Sequence, residues 1–363
     1  MAKLKVGILF GGRSAEHEVS LQSAKNIFDA IDRNKFEPVL IGIDKHGKWL
    51  FEQAEHFLLN SADPKNIALN PQGSPVAIVP QSGGFISNID QRESDFTLDV
   101  VFPILHGPFG EDGTVQGLLK LADIPFVGSS VLGSALGMDK DVMKRLLRSE
   151  GIPIGKFIVL HDYEEMLSYD KVVAELGLPL FVKPANMGSS IGVHKIHNED
   201  EYHLFVKDAF CYDTKIVFEE EIVGRELECA VLGNEDPFAS LPGEIKPAHE
   251  FYSYNAKYID GSGAVAEIPA QISPEMIKKV QFLALKTFKA LCCEGLARVD
   301  FFLGKNGLLY VNEINTIPGF TKISMYPKLF DAFGISYTDL ITRLIELAIA
   351  RFKREKQLRT NYL

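Results

Sequence analysis

The sequence contains few cysteines. Four occur among 363 residues, at positions 211, 229, 292 and 293. Because Cys292 and Cys293 are adjacent, a disulfide between them would be strained, and no C-x-x-C pair is present. These features argue against a disulfide framework and against a structural zinc site. We therefore expect four reduced, mostly buried thiols in a reducing compartment.

The sequence also lacks long apolar runs and an excess of basic residues. No apolar stretch approaches the roughly 18 residues that span a bilayer, and the run at 6–10 stops at two glycines, too short for a signal peptide. Asp and Glu number 48 against 38 Lys and Arg, a formal net charge of −10. This balance argues against general affinity for nucleic acid or anionic membranes, but not against a small anion held by a few lysines. We predict a cytoplasmic protein with no nucleic-acid or membrane partner.

The composition, 46% hydrophobic and 24% charged, is that of a globular protein, and the length of 363 residues predicts two or three domains or one large one. A strand at 4–10, helical spacing over 14–31 and a strand at 36–43 predict a βαβ opening and a parallel sheet. Residues from about 60 to 95 are rich in Pro, Gly, Ser, Asn and Gln, which predicts irregular surface structure that could contain a hairpin. A buried strand at 99–105 follows.

The remaining chain predicts two further groups of elements. Strands are expected at 180–183, 192–196, 216–221, 226–233, 242–246 and 296–315. Helices are expected at 138–150, 274–291 and 336–356, the last with a capping box at Ser336 and Asp339.

Two common nucleotide-binding patterns are missing, G-x-x-x-x-G-K-[ST] and G-x-G-x-x-G. The second absence argues against an NAD-dependent oxidoreductase, which the βαβ opening alone would allow. Lys183 instead precedes a glycine-serine loop at 188–192, whose N–H groups and hydroxyls can surround phosphate oxygens. An ordinary hairpin loop fits this pattern equally well. Lys140, at a helix start, and Lys257, in an aromatic-rich segment, are each compatible with a solvent-facing lysine.

A hairpin at 296–315 carries the most specific pattern. If residues whose numbers sum to about 611 face each other, Asp300 opposes Val311 and Arg298 opposes Glu313. Alternation then puts Arg298, Asp300, Glu313 and Asn315 on one face. Two carboxylates and one carboxamide oxygen suit a hard cation such as Mg²⁺. The alternative is a solvated face with an Arg–Glu pair, but the intervening residues are apolar.

Two further positions are open to both structural and functional interpretation. His106 ends a buried strand, where open α/β sheets bind ligands, or it is a turn histidine bonded to backbone. Ser14 and Glu16 begin the first helix, and the residues alone favour a cap and a dipole complement.

Seven ordered segments resemble one family. They are FGGRSAEHEVS at 10–20, HG at 106–107 with GEDG at 110–113, MDK at 138–140, KP at 183–184 with GSS at 188–190, AKY at 256–258, RVD at 298–300 and EINTIPGFT at 313–321. The set resembles the longer form of the D-alanine–D-alanine ligases over nearly the whole chain. The resemblance implies an N-terminal parallel-sheet α/β substrate domain at 1–125 and a two-subdomain ATP-grasp fold, with a central subdomain at 126–221 and a C-terminal subdomain at 222–363.

The resemblance also implies a reaction. ATP phosphorylates the carboxylate of one D-alanine, and the amine of a second D-alanine attacks the D-alanyl phosphate, for peptidoglycan precursor synthesis. It implies ATP, two Mg²⁺ ions with Mn²⁺ as a substitute, and a homodimer.

Residue roles follow from the same resemblance. Two Mg²⁺ ions would lie on Asp300, Glu313 and Asn315. ATP would meet Lys140, Lys183, Lys257 and Ser189 through its phosphates, Glu219 and Ile222 through adenine, and Glu226 through ribose. Arg298 and the N–H of Gly319 would stabilise the oxyanion.

The two amino-acid substrates would contact a different set of residues. Glu16 would bind the ammonium of the first D-alanine with His106 nearby. Glu16, Ser189 and Tyr258 would form a hydrogen-bonded set. Ser324 and the N–H of Met325 would receive the second carboxylate.

Two alternatives to the ligase remain. One is a sister enzyme that takes D-lactate or D-serine as second substrate, and the other is a nucleotide-binding regulator with a dead site. The presence of Arg298, Asp300, Glu313 and Asn315 argues against the second.

Tyr258 bears on the choice of second substrate, because family members with phenylalanine there tend toward the ester product. We expect Tyr258→Phe to shift the product toward D-alanyl-D-lactate when D-alanine and D-lactate compete. Product analysis by mass spectrometry measures the ratio, and an unchanged ratio would count against this role.

Overall fold

The computed structural model describes residues 2–61, 63, 65–90, 94–247 and 264–359. Within these ranges, three large sheets succeed one another along the chain, together with one two-stranded sheet. Lys257 and Tyr258, both singled out from the sequence, lie outside the described residues.

The first large sheet belongs to the N-terminal region. Its strands are Leu4–Gly11 (β1), Phe36–Ile43 (β2), Trp49–Glu52 (β3), Ser74–Ile78 (β6), Phe85–Asn88 (β7), Phe96–Thr97 (β8) and Val100–Pro103 (β9), and Leu58–Leu59 (β4) pairs separately with Ala68–Leu69 (β5). The first helices are His17–Ala30 (α1), Thr114–Leu121 (α2) and Val131–Met138 (α3). The strand order is β8-β7-β6-β3-β2-β1-β9. Because β1 pairs in parallel with β2 and β9, the predicted βαβ opening is confirmed.

The stretch predicted to be irregular is more regular than expected. β6 and β7 form an antiparallel hairpin, and β6 also pairs with β3, so the hairpin extends the first sheet. Val76 and Ile86 are buried in the same apolar cluster as Val101. The hairpin that the sequence allowed for is confirmed at residues 74–88, where buried apolar side chains outweigh the turn-forming composition around them.

The second sheet is antiparallel and follows in the chain. Its strands are Phe157–His161 (β10), Leu180–Pro184 (β11), His194–Ile196 (β12) and Lys215–Glu220 (β13), in the order β10-β13-β11-β12. Its helices are Lys140–Ser149 (α4), Tyr169–Leu176 (α5) and Glu199–Ala209 (α6). Asp139 caps α4, because its side chain accepts the N–H groups of Asp141 and Val142.

The third sheet carries the predicted hairpin. Its strands are Gly224–Gly233 (β14), Phe238–Ala239 (β15), Gly243–Pro247 (β16), Ala264–Glu267 (β17), Gly295–Gly304 (β18) and Leu309–Asn315 (β19). The order is β17-β16-β14-β18-β19, and β15 pairs with β14. Its helices are Pro274–Ala290 (α7), Met325–Ala332 (α8) and Tyr337–Glu355 (α9). Ser336 caps α9 by accepting the N–H of Asp339 at 3.1 Å, as the sequence predicts.

The register of the hairpin differs from the prediction. Asp300 faces Glu313 and Arg298 faces Asn315, and a shift follows between Asp300 and Phe301. Beyond it Phe301 faces Val311, so one strand holds an extra residue there, as in a β-bulge. The predicted pairing of Asp300 with Val311 and of Arg298 with Glu313 is wrong, because the sequence rule assumed an unbroken ladder. The four polar residues still share one face, since cross-strand partners and alternate residues do so.

The C-terminal helix α9 packs against the first sheet. Phe10 and Phe102 of that sheet share one buried cluster with Leu340 and Leu344 of α9. Arg351, also on α9, donates to the carbonyls of Phe126 and Gly128, residues that follow the first sheet in the chain. The first and third regions therefore have a common core, which fixes the loops that meet between them.

Two expectations, one about thiols and one about membrane-spanning segments, can be compared with the structure. All four cysteines are free, but Cys211 and Cys292 are exposed while Cys229 and Cys293 are buried. The prediction of mostly buried thiols is therefore wrong for half of them. None of the described helices is long and apolar enough to cross a membrane.

Glu52, the last residue of β3, is a buried carboxyl that lies against Gly73. A Cβ on Gly73 would lie 2.5 Å from its Oε1, and Glu52 is 4% exposed. Burial raises the pKa of Glu52 to about 8. Since the unfolded value is about 4.3, the native state holds an extra proton between these values, and native stability falls as the pH rises through them.

We expect Glu52→Gln, which cannot ionise, to abolish this loss. Its melting temperature should exceed that of the unsubstituted protein by a few degrees at pH 9 and by much less at pH 5, as measured by calorimetry. A pH-independent difference would contradict the assignment.

Candidate active site

One cavity of about 300 Å³ is lined by residues of the N-terminal region, the glycine-serine loop and the third sheet with the segment that follows it. The sequence-predicted residues that line it are Glu16, His106, Ser189, Glu226, Arg298, Asp300, Glu313, Asn315, Gly319, Ser324 and Met325. Four others lie outside its lining: Lys140, Lys183, Glu219 and Ile222. Residues of the N-terminal region, Glu16 and His106, and Ser189 of the glycine-serine loop therefore meet the face of the β18–β19 hairpin at a single site.

Glu16 joins the start of α1 to the glycine-serine loop. The Ser189 hydroxyl donates to Glu16 Oε1. The capping interpretation concerned Ser14, whose Oγ accepts the N–H of Glu16 at 3.0 Å, while the Glu16 side chain makes no capping hydrogen bond to α1. Gly107 and Gly188 leave room for its carboxylate, because a Cβ on either would lie within about 3 Å of Oε2. The carboxylate is therefore held in a niche from which it can also meet a cation.

His106 is fixed by two neighbours and is 4% exposed. Its Nδ1 lies 3.0 Å from the carbonyl oxygen of Ile317, and its Nε2 lies 3.4 Å from Ser23 Oγ. Ser23 Oγ also accepts the N–H of Phe320 at 3.1 Å. The partners fit a neutral ring that carries its proton on Nδ1. His106 is thus bonded to the backbone and also lines the cavity, so the two interpretations of this residue are compatible.

Arg298 and Asp300 form the centre of the hairpin face. Two guanidinium nitrogens of Arg298 each lie 2.7 Å from an oxygen of Asp300. Arg298 Nε also lies 2.9 Å from Glu228 Oε2, and Asn315 donates to Asp300 Oδ2 at 3.0 Å. Glu313 lies opposite Asp300 across the hairpin and Glu228 opposite it on β14, so three carboxylates and one guanidinium share this face, which has an excess of negative charge.

This donor set fits a hard cation. Mg²⁺ needs only one or two protein carboxylates, because phosphate and water complete its octahedron. Asp300, Glu313 and Asn315 supply such oxygens on one face. Among the described residues there is no cluster of three or more His, Cys, Asp or Glu side chains suited to a metal.

The lysines lie beside the cavity and are held by protein oxygens. Lys140 Nζ donates to the carbonyl of Met187 at 2.6 Å, which ties α4 to the glycine-serine loop. Lys183 Nζ donates to Glu219 Oε2 at 2.9 Å. Burial raises the pKa of the Glu219 carboxyl, but the charges and hydrogen bonds of Lys144 and Lys183 outweigh burial and lower it to about 2. Glu219, the residue predicted to contact adenine, therefore forms ion pairs with both Lys144 and Lys183.

The sequence reasoning assigned no role to three residues that the structure places at or beside the site. Glu111 accepts the N–H groups of Gly107 at 2.8 Å and Ile317 at 3.0 Å, so it links the two loops around His106. Burial and the charge of Glu16 raise the pKa of Glu111. Glu228 pairs with Arg298, and Lys144 pairs with Glu219. Alternation on β14 with Glu226 could have indicated Glu228, but no local pattern indicates Lys144.

Comparison with family models identifies the chain. The model described as D-ala D-ala ligase N-terminus matches residues 5–129, and the one described as D-ala D-ala ligase C-terminus matches residues 146–346. The chain belongs to the D-alanine–D-alanine ligase family. The resemblance drawn from the ordered motifs is thereby confirmed.

Curated relatives of the D-alanine–D-alanine ligase family match over full length. The D-alanine–D-alanine ligase of Oceanobacillus iheyensis is 55% identical over 362 residues, which covers 99% of each chain. The D-alanine–D-alanine ligase A of Escherichia coli is 53% identical over 362 residues, or 99% of this chain and 100% of that protein.

Solved structures of the family agree with the fold. The D-alanine–D-alanine ligase of Coxiella burnetii has a TM-score of 0.86 at 38% identity, covering 98% of this chain and 97% of that one. The VanG D-Ala:D-Ser ligase of Enterococcus faecalis has a TM-score of 0.84 at 38% identity, covering 96% and 100%. The predicted fold class, a parallel-sheet α/β domain followed by a two-subdomain ATP-grasp fold, is confirmed.

The environment of His106 leads to a pH prediction. Burial lowers the pKa of His106 to about 4, although its hydrogen bond to Ile317 acts in the opposite direction. The unfolded value is about 6.5, so between these values the unfolded chain binds a proton that the native chain does not, and native stability falls as the pH drops.

We expect the ¹⁵N shifts of the His106 ring to remain those of a neutral imidazole from pH 8 to pH 5. The His106→Gln spectrum assigns the resonance. A transition near pH 6.5 would contradict the burial argument.

Proposed function

We propose that this chain joins two D-alanines to D-alanyl-D-alanine in an ATP-dependent reaction that passes through a D-alanyl phosphate and releases ADP and phosphate. The product serves peptidoglycan precursor synthesis. The observation that carries the proposal is the convergence of Glu16, Arg298 and Ser324 on one cavity from three separate segments. Two amino-acid substrates require a carboxylate for an ammonium, a cation for a developing oxyanion and donors for a free carboxylate, and these three residues supply them.

Glu16 is proposed to bind the ammonium of the first D-alanine. Its Oε1 accepts from Ser189, and its Oε2 lies beside Gly107 and Gly188, where no side chain intervenes. An ion pair in such a partly buried niche orients the substrate as well as attracting it. His106, neutral and fixed, adds no charge that would repel the ammonium. Tyr258 would complete the hydrogen-bonded set with Glu16 and Ser189.

Arg298 and Gly319 are proposed to stabilise the oxyanion that forms when the second amine attacks the acyl phosphate. Arg298 is already held by Asp300 and Glu228, so little reorganisation accompanies charge development. Gly319 lies close to Ser324, because a Cβ there would lie 2.8 Å from Ser324 Oγ. The Gly319 N–H and the second carboxylate site, at Ser324 and the N–H of Met325, are thereby brought close together.

ATP is proposed to extend from this cavity toward the second sheet. Lys140, Lys183 and Lys257 would meet its phosphates with Ser189, while Ile222 and Glu219 would flank adenine and Glu226 the ribose. Asp300, Glu313 and Asn315 would hold two Mg²⁺ or Mn²⁺ ions, which when bound neutralise phosphate charge during transfer.

The division into domains at 1–125, 126–221 and 222–363 also belongs to the proposal. The three large sheets, over residues 4–103, 157–220 and 224–315, support it. We further propose a cytoplasmic homodimer, which the family resemblance supports.

A sister specificity is the second candidate. The VanG D-Ala:D-Ser ligase has nearly the same fold as this chain, so a different second substrate needs no change of architecture. D-serine or D-lactate would then replace the second D-alanine at Ser324 and Met325.

A competition assay tests the function. Purified protein receives ATP, Mg²⁺ and equal D-alanine, D-serine and D-lactate, and phosphate release and products are measured by mass spectrometry. We expect D-alanyl-D-alanine as the main product and complete loss of turnover with excess EDTA, reversed by Mg²⁺. No dipeptide from D-alanine alone would overturn the proposal, a dominant mixed product would favour the sister specificity, and turnover in EDTA would refute the metal assignment.

A further inference from the structure

Lys144, on α4, is a buried lysine that the proposed mechanism does not use. It is 1% exposed, and its Nζ lies 3.3 Å from Glu219 Oε1. The other oxygen of Glu219 accepts from Lys183 at 2.9 Å. One buried carboxylate thus lies between two ammonium groups from different elements, α4 and β11.

Two aromatic rings lie next to the three charged groups. In the second sheet Glu219 faces Phe157 on one side and Phe181 on the other. Lys144 Nζ lies 5.9 Å from the centre of the Phe157 ring, and Lys183 Nζ lies 5.9 Å from that of Phe181. Each ammonium therefore lies near an aromatic ring as well as near one oxygen of the shared carboxylate. The arrangement is a built cluster rather than a chance contact.

Burial of the Lys144 charge calls for an explanation, because an apolar residue of similar length at this position would avoid the free-energy cost of desolvating a charge. Burial lowers the pKa of Lys144, and the charge of Glu219 opposes that shift. The ion pair with Glu219 is thus the interaction that keeps a cation here. Packing alone does not require it.

The balance of charge supplies the reason. Lys183 alone with Glu219 would form a neutral pair, with no net charge left for a phosphate. Adding Lys144 gives the cluster a net charge of +1. We propose that Lys144 is a positioning residue for ATP: it neutralises Glu219, so that the charge of Lys183 remains uncompensated for the phosphates. This inference rests on the proposed function, because it takes Lys183 as a phosphate ligand.

Paired substitutions separate this role from a purely structural one. Lys144→Met leaves a neutral pair of Lys183 and Glu219. Lys144→Arg keeps the charge. Arg145→Met is the matched control on the same helix, because Arg145 is exposed and pairs with Asp141.

ATP affinity is measured by titration calorimetry without D-alanine, KM and kcat by phosphate release, and folding by the melting temperature. We expect Lys144→Met to weaken ATP binding and raise the KM for ATP about tenfold, the size of one uncompensated charge at a few ångströms in a partly screened site. The effect on kcat at saturating ATP should be much smaller. Lys144→Arg should retain most of the affinity, and Arg145→Met should match the unsubstituted protein.

Several results would overturn the inference. They are an unchanged ATP affinity in Lys144→Met, an equal loss in Lys144→Met and Lys144→Arg, or a loss that follows only the melting temperature. ATP binding with no dipeptide product would overturn the proposed function while the affinities still decide the role of Lys144. An unsubstituted protein that does not bind ATP would overturn both.

Discussion

Charge taken out of water must be paired, and the site of this ligase-family chain is organised by that requirement. Glu16 accepts from Ser189, Asp300 accepts two bonds from Arg298, and Glu219 lies between two lysines. The pairings of Glu16 and of Glu219 join segments that are distant in sequence. The pairing of Asp300 with Arg298 joins two neighbouring positions on the hairpin face. The contacts that stabilise these buried charges therefore also hold the residues of the site in position, so that folding preorganises the site.

The apolar packing puts those charged groups within reach of one another. α9 and the first sheet share a buried cluster, and the ring of Phe320 lies 5.9 Å from that of Phe102. Since Gly319 precedes Phe320, this aromatic contact anchors the loop that carries Gly319 to the first sheet. Glu111 adds a polar link from the N-terminal region to the N–H of Ile317. The two loops around His106 are therefore fixed on both sides.

The sequence predicted the features that depend on local patterns. Alternation and helical spacing located β1, α1 and β2, and the ordered motifs located Glu16, Glu313 and Ser324 in the cavity. The register of the hairpin was not predictable, because the shift after Asp300 adds a residue that no turn signal announces. Lys144 and Glu228 were missed for a related reason. Their partners, Glu219 and Arg298, are about 70 residues away in sequence, so only the folded chain shows the pairs.

The irregularity in the β18–β19 hairpin has a consequence for how this chain tolerates change. It separates the segment where Asp300 faces Glu313 from the distal segment where Phe301 faces Val311. A ladder without such a shift would transmit any change of register at the turn along its full length. Without the extra residue in β19 the distal register would continue, so that Asp300 would face Asn312 and Glu313 would turn to the opposite face of the sheet. A one-residue deletion at the shift would therefore separate the acidic pair even with the turn at residues 305–308 intact.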